Sequence, residues 1–164
     1  MDRGDDLYCK SGFSVTFVVS STRYGTEEMI SAIGITPDET RLKCDQPEPD
    51  RSLRENDQSS GLSYRSNLAP ETRLVRQVEH IILRLEPVID KIDHLAHQSR
   101  DDSDSDNKPE IETLLNIDVS SRQDNDTDYL RILPHQFALL ARMGAKVKIS
   151  FAWDGFHYER PRQD

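Results

Sequence analysis

Four ionisable side chains share one face of a predicted helix at the spacing of metal ligands. Asp90 and His94 are four residues apart, as are Asp93 and His97. Imidazole nitrogens and carboxylate oxygens bind divalent transition metals, so Asp90, His94 and His97 form a candidate metal site. The alternative, favoured because the His-Glu-x-x-His arrangement is absent, is a solvent-exposed face. A separate buried face is supplied by Val88, Ile89, Ile92 and Leu95.

A run of alternating aspartates follows that helix and resembles the first half of a calcium-binding loop. Asp102, Asp104 and Asp106 occupy the first, third and fifth positions of such a loop. The sixth position requires glycine and is Asn107, and the twelfth requires glutamate and is Thr113. We therefore interpret the stretch as a solvated acidic loop and not as a calcium site.

Patterns for nucleophilic or phosphate chemistry do not occur in the sequence. It contains no Gly-x-Ser-x-Gly elbow, no glycine-rich phosphate loop and no cysteine–histidine signature. The pairs Ser20-Ser21 and Ser120-Ser121 come at strand ends, where hydroxyl groups commonly hydrogen-bond the following loop. The sequence indicates no catalytic residue and no cofactor, and it favours a protein that is not an enzyme.

The elements that position these side chains follow a strand–loop–helix–Gly–strand plan that occurs twice. Alternating apolar residues predict four strands, at about 13–19, 62–64, 110–120 and 147–153. Short helices that stop before Gly34 and Gly144 complete the two copies. The predicted fold class is α+β: a single sheet of about four strands with helices packed on it, and two β-α-β halves joined by a long kinked helix, in a ferredoxin-like variant.

The long helix between the halves is predicted to begin at Pro70, because proline is tolerated in a first helical turn. Apolar residues at helical spacing from Leu74 to Leu85 bury one of its faces. Pro87 interrupts this pattern, which then resumes. We therefore expect a kink near Glu86.

The length of 164 residues predicts one domain with one core. We expect a disordered lead-in at 1–11, the domain at 12–158 and a frayed tail at 159–164. Within the domain, charge, proline and the scarcity of apolar residues predict a flexible insert at about 38–61 and an acidic loop at about 99–109.

Composition bears on partners and location. The net charge of −9 argues against nucleic acid as a partner and favours a basic protein. No apolar run is long enough for a membrane span, so no membrane association is expected. The acidic start of the chain is not a signal peptide, which makes a cytoplasmic location the expectation. Cys9 and Cys44 fit no metal spacing and are expected to be free thiols.

The end of the chain combines a turn signal with aromatic side chains. Asp154-Gly155 is typical of a two-residue hairpin turn, which would set Trp153 opposite Phe156. Aromatic residues are enriched at the centres of protein interfaces, so Trp153, Phe156 and Tyr158 are candidate partner-binding residues. The alternative is that these side chains close one end of the hydrophobic core.

A family resemblance rests on one turn and the elements around it. The turn Ala32-Ile-Gly-Ile-Thr-Pro-Asp38 is similar to the LGI-x-P turn of a bacterial family described only as a domain of unknown function. The strand Leu62-Ser-Tyr-Arg-Ser66 and the helix that runs into Leu85-Glu-Pro87 resemble that family too, although the family often has tryptophan in place of Leu62. The resemblance covers about 13–153. It implies a small bacterial protein without an established activity, closer to binding or immunity-type modules than to enzymes.

These observations favour one functional hypothesis and leave two alternatives. The favoured hypothesis is a binding module, immunity-like or regulatory, that engages a basic protein partner through acidic loops. Its predicted contacts are the three tail aromatics together with Asp101, Asp102, Asp104 and Asp106. The first alternative is an enzyme of unknown class with a dispersed or metal-assisted site on the long helix. The second is a homo-oligomeric structural subunit assembled through the terminal hairpin.

Overall fold

A computed structural model of the chain describes residues 12–43, 59–101, 111–120 and 131–152. No helix in these ranges is long and apolar enough to cross a lipid bilayer. The strands are β1 (Gly12–Ser21), β2 (Glu39–Arg41), β3 (Ser60–Arg65), β4 (Ile111–Ser120) and β5 (Lys146–Ala152). The helices are α1 (Thr26–Ile33), α2 (Leu74–Leu85), α3 (Ile89–Asp101) and α4 (Pro134–Arg142).

The five strands form one mixed sheet in the order β2-β3-β1-β4-β5. Neighbouring strands are antiparallel except β4 and β5, which are parallel. The predicted α+β class, with helices packed on a single sheet, is confirmed, and the sheet has one strand more than the four expected. The additional strand is β2, whose three exposed residues pair with β3 inside the stretch where an insert is predicted.

The two strand–helix–strand units enter the sheet differently. After α1 the chain enters β2, which is parallel to β1 but separated from it by β3. After α4 the chain enters β5, which lies directly beside β4. The repetition of the plan along the sequence therefore does not extend to equivalent positions in the sheet, because β3 occupies the place next to β1.

The hydrophobic core lies on one face of the sheet, against the helices. The register of β1 with β4 pairs Val15 with Ile117 and Phe17 with Leu115, and all four side chains are buried. The helices contribute the rest of the core, including Met29, Ile33, Val78, Ile81, Leu85, Ile92 and Leu140. The opposite face carries the even-numbered residues 14–20 of β1 and 112–118 of β4, which are half-buried or exposed. We call it the open face.

The long helix is interrupted where the sequence predicts, but it begins later. A single 3-10 turn, Glu86–Val88, separates α2 from α3 and contains Pro87, which has no N–H to continue the helical ladder. The predicted start at Pro70 is wrong, since α2 begins at Leu74. The carbonyl of Pro70 instead accepts a hydrogen bond of 2.7 Å from the backbone N–H of Phe13. A Cβ atom on Gly12 would lie 2.8 Å from Pro70, so this segment packs directly on β1.

Gly34 ends α1 in the left-handed conformation, as predicted. Its φ is 86°, and its N–H donates a 2.7 Å hydrogen bond to the carbonyl of Ile30. A Cβ atom at this position would lie 2.9 Å from the Nζ of Lys91, but a lysine amine can move aside. The backbone conformation therefore sets the cost of replacing this glycine.

Replacing Gly34 with alanine is expected to lower the free energy of unfolding by about 1–2 kcal/mol, the cost of a left-handed conformation for a residue with a Cβ atom. Gly34→Asn should lower it by less, because asparagine adopts this conformation more readily. Denaturant unfolding of both variants measures the difference. Equal losses would show that space near Lys91, and not the backbone, decides the cost.

Candidate functional site

Two acidic segments join the sheet at the same end. Ser21, the last residue of β1, pairs with Ser60 at the start of β3 and with Ile111 at the start of β4. Segment 44–58 leads towards β3 and segment 102–110 leads into β4. Together they contain nine Asp and Glu against three Lys and Arg. We call this the Ser21 end of the sheet.

The acidic excess of the chain lies outside the described residues. The described ranges contain 13 Lys and Arg against 12 Asp and Glu, which is a net charge of +1. The whole chain contains 21 against 30, which is a net charge of −9. The negative charge is therefore concentrated in the remaining segments and is not spread over the described fold.

The described rim of the Ser21 end is ordered by local hydrogen bonds and carries basic side chains. The Oγ of Ser21 accepts hydrogen bonds from the backbone N–H groups of Arg23 at 3.1 Å and Tyr24 at 2.9 Å. This confirms the role predicted for Ser21 in the loop after β1. The Arg23 guanidinium lies 5.5 Å from the centre of the Tyr24 ring, and Lys43 donates to the carbonyl of Thr22 at 3.4 Å.

The two groups of predicted partner contacts attach at opposite ends of the sheet. Asp101 is the last residue of α3, and Asp102, Asp104 and Asp106 follow it into β4 at the Ser21 end. The aromatic residues follow β5, which runs parallel to β4 and ends at the far end, with Ala152 beside Ser120. A strand of ten residues spans about 30 Å. The side chains of Asp101, Asp102, Asp104, Asp106, Trp153, Phe156 and Tyr158 lie outside the described residues, as do Cys9 and Cys44.

The open face carries short polar and apolar side chains in its middle and ion pairs at its borders. The middle holds Ser14, Thr16, Val18 and Ser20 of β1 with Leu114 and Asn116 of β4, and the Arg41 guanidinium lies beside Gly61 of β3. Arg65 pairs with Glu39 at 2.7 Å on one side, and Lys146 pairs with Glu112 at 2.9 Å on the other. The open face therefore combines short polar, apolar and charged side chains.

The candidate metal ligands on α3 have protein partners. The carboxylate of Asp90 lies 2.5 Å from the guanidinium of Arg142 on α4. The Nδ1 of His97 lies 2.7 Å from the Asp93 carboxylate and 2.9 Å from the Asp93 carbonyl. Within the part of the chain that the structure describes, no three or more His, Cys, Asp and Glu side chains are grouped to hold a metal ion. The site at Asp90, His94 and His97 stays a prediction from spacing.

A charged network joins the turn after α1 to α2 and β3. The Asp38 carboxylate accepts hydrogen bonds from the Arg84 guanidinium at 2.5 Å and from the backbone N–H of Arg65 at 2.6 Å. Arg84 also donates to the carbonyl of Thr36 at 3.2 Å and lies 5.5 Å from the centre of the Tyr64 ring. The Arg84 hydrogen bond holds the pKa of Asp38 below its ordinary value, against the effect of partial burial. Burial raises the pKa of Tyr64 to about 12.

This network is suited to fixing the turn and not to proton transfer. A carboxylate with a lowered pKa is a weak base, and a phenol with a raised pKa is a weak acid near neutral pH. Asp38 and Arg84 are 46 residues apart, so no local sequence pattern indicates the network. The available signal was Asp38 itself, which closes the turn on which the family resemblance rests.

One protein family matches this single-sheet α+β chain. The model of the family described as Domain of unknown function (DUF4279) matches residues 10–152, and the chain belongs to that family. The resemblance inferred from the turn at 32–38 and the elements after it is confirmed. No curated protein and no solved structure matches the chain. The family carries no established activity, so functional inference depends on the geometry and the charge distribution.

Replacing Asp38 with asparagine is expected to lower the free energy of unfolding by about 1 kcal/mol at neutral pH, because Arg84 loses its charged acceptor. A carboxyl whose pKa is lowered by folding contributes stability above its unfolded pKa of about 4. That contribution is lost as the pH falls through the folded pKa. The difference between wild type and Asp38→Asn should therefore be constant near neutrality and shrink below about pH 4, as measured by denaturant unfolding across pH.

The matched control is Asp90→Asn. Asp90 also pairs with an arginine, but its side chain is 89% exposed, so solvent screens the pair. The control should leave the free energy of unfolding nearly unchanged at neutral pH. A loss for Asp38→Asn of the same size at acid and neutral pH would contradict an ion-pair contribution.

Proposed function

We propose that the protein is a non-enzymatic binding module, immunity-like or regulatory, that engages a basic protein partner through its acidic segments. The observation that carries the proposal is the uneven distribution of charge along the chain: the described residues have a net charge of +1, whereas the whole chain has a net charge of −9. Acidic residues that serve solubility alone can be spread over the whole surface. Negative charge gathered on a few segments instead steers a basic partner towards one side of the molecule.

The Ser21 end is the side to which the partner is steered. Segments 44–58 and 102–110 connect to β3 and β4, which flank β1, so their attachment points are about 10 Å apart, two strand spacings. Both segments therefore attract a basic partner that approaches this end of the sheet.

Within the acidic segments, Asp101, Asp102, Asp104 and Asp106 are the proposed charged contacts. Trp153, Phe156 and Tyr158 are proposed as apolar contacts, since aromatic anchors supply affinity where charges mainly supply rate and selectivity. Because the two groups attach about 30 Å apart, a partner that meets both must extend along the sheet. Substitutions in the two groups should then act independently.

The experiment combines capture with a charge-neutralised variant. Tagged full chain is incubated with extract of the native host at low salt, eluted with rising salt, and the bound proteins are identified by mass spectrometry. We expect one basic protein in near-equal amount. Its purified form should bind more weakly as salt rises, and about tenfold more weakly to the triple variant Asp102→Asn, Asp104→Asn and Asp106→Asn.

The control variant removes the same charge elsewhere. Glu71→Gln, Glu79→Gln and Glu86→Gln remove the same charge before, within and directly after α2, away from the loop that follows β1. Retained affinity in this control, with loss in the aspartate variant, assigns binding to the acidic segment. Equal loss in both variants would leave only a net-charge effect. A complex that neither salt nor the aspartate variant weakens would refute the proposal.

A further inference from the structure

The outer edge of β5 has no partner strand among the described residues. β5 stands last in the sheet order, and only its inner side pairs, with β4. Val147, Ile149 and Phe151 lie on the helix-covered face beside buried residues of β4, yet they are 36%, 44% and 55% exposed. An edge strand with free backbone groups and an apolar stripe is a template for another strand.

Two copies of β5 complement each other on this apolar side. In an antiparallel arrangement with Ile149 on the twofold axis, Val147 lies opposite the partner's Phe151, and the two Ile149 side chains meet. Side chains directly opposite in an antiparallel pair contact each other, so the exposed stripe of each copy is covered by the stripe of the other. The two helix-covered faces then lie on the same side of one continuous sheet.

The open-face side of β5 fits the same register. Lys148 lies opposite the partner's Ser150, so no lysine faces a lysine. A register centred on Lys148 would oppose two like charges, which is unfavourable. Asp118 lies in register with Ser150 on the inner side. The short Ser150 side chain thus leaves the partner's Lys148 free to extend towards Asp118, about two strand spacings away.

The charges at this interface are available for such a pair. Within the described part of the chain, neither Asp118 nor Lys148 makes an ion pair, whereas Lys146 is already bound to Glu112. Twofold symmetry would form the Asp118–Lys148 contact twice. We propose that β5 is an assembly edge that pairs with β5 of a second copy of this chain, with Ile149 on the axis. This inference is independent of the proposed binding function.

Analytical ultracentrifugation of the full chain over a concentration series tests the assembly. A seven-residue strand makes a small interface, so we expect a dimer that dissociates on dilution. Ile149→Lys places two like charges on the axis and should give a monomer throughout. The control Leu83→Lys makes the same change at a 60% exposed residue of α2 and should leave the dimer intact.

A charge reversal separates a specific contact from damage to the fold. Asp118→Lys alone and Lys148→Asp alone should each weaken the dimer about tenfold or more. The double variant rebuilds both pairs with reversed charge and should recover most of the affinity. A wild-type chain that is monomeric at all concentrations, or a double variant no better than the single ones, would overturn the proposal.

Hydrogen exchange tests the alternative that the chain's own segment 153–164, and not a second copy, pairs with the outer edge of β5. The outward amides of β5 should be protected only at concentrations where the dimer is populated. Protection of these amides in the monomer would mean that this segment pairs with β5, and it would overturn dimerisation through β5. Failure of the dimer leaves the salt-dependent capture of a basic protein unaffected, so the two proposals fail separately.

Discussion

The ten-residue antiparallel pairing of β1 with β4 is the constraint on which the rest of the structure depends. Side chains alternate along a strand, so this one register decides which residues meet the helices and which line the open face. A slip of one residue would move Phe17 out of the core. The same pairing brings the start of β4 to Ser21, and β3 begins at Ser21 on the other flank. The two acidic segments therefore join the sheet at one end as a consequence of strand register.

Features set by local sequence were predictable, and those set by distant contacts were not. Alternation predicts β1, β4 and β5, a proline predicts the interruption between α2 and α3, and Gly34 predicts the end of α1, because each depends on nearby residues. β2 has no apolar pattern, since its three residues are exposed and it is a strand only by pairing with β3. α2 begins at Leu74 and not at the predicted Pro70, because Pro70 is hydrogen-bonded to β1, far away in sequence.

The candidate sites show the same division. Sequence spacing brought Asp90, His94 and His97 together on one helix, but it could not show that α4 would place Arg142 against Asp90. The alternation in β5 correctly predicts two faces, but it does not indicate what covers the apolar one. That depends on the order of strands in the sheet, where β5 stands at the edge. The alternation of apolar residues therefore predicts which face of the sheet each β5 side chain lies on, whereas the order of strands determines how exposed that side chain is.

The proposed acidic contacts are compatible with pairing through β5 because the fold separates them, whereas the proposed aromatic contacts Trp153, Phe156 and Tyr158 follow β5 directly. Two chains of charge −9 repel each other, yet acidic segments 44–58 and 102–110 leave the sheet at its Ser21 end, whereas Ile149 lies in the middle of β5. Charges farther apart than about 8 Å are largely screened at physiological salt, so this repulsion is weak at the axis. Antiparallel pairing also turns the two Ser21 ends in opposite directions. A compact partner would then meet only one acidic end, and dimerisation would add no avidity to its binding.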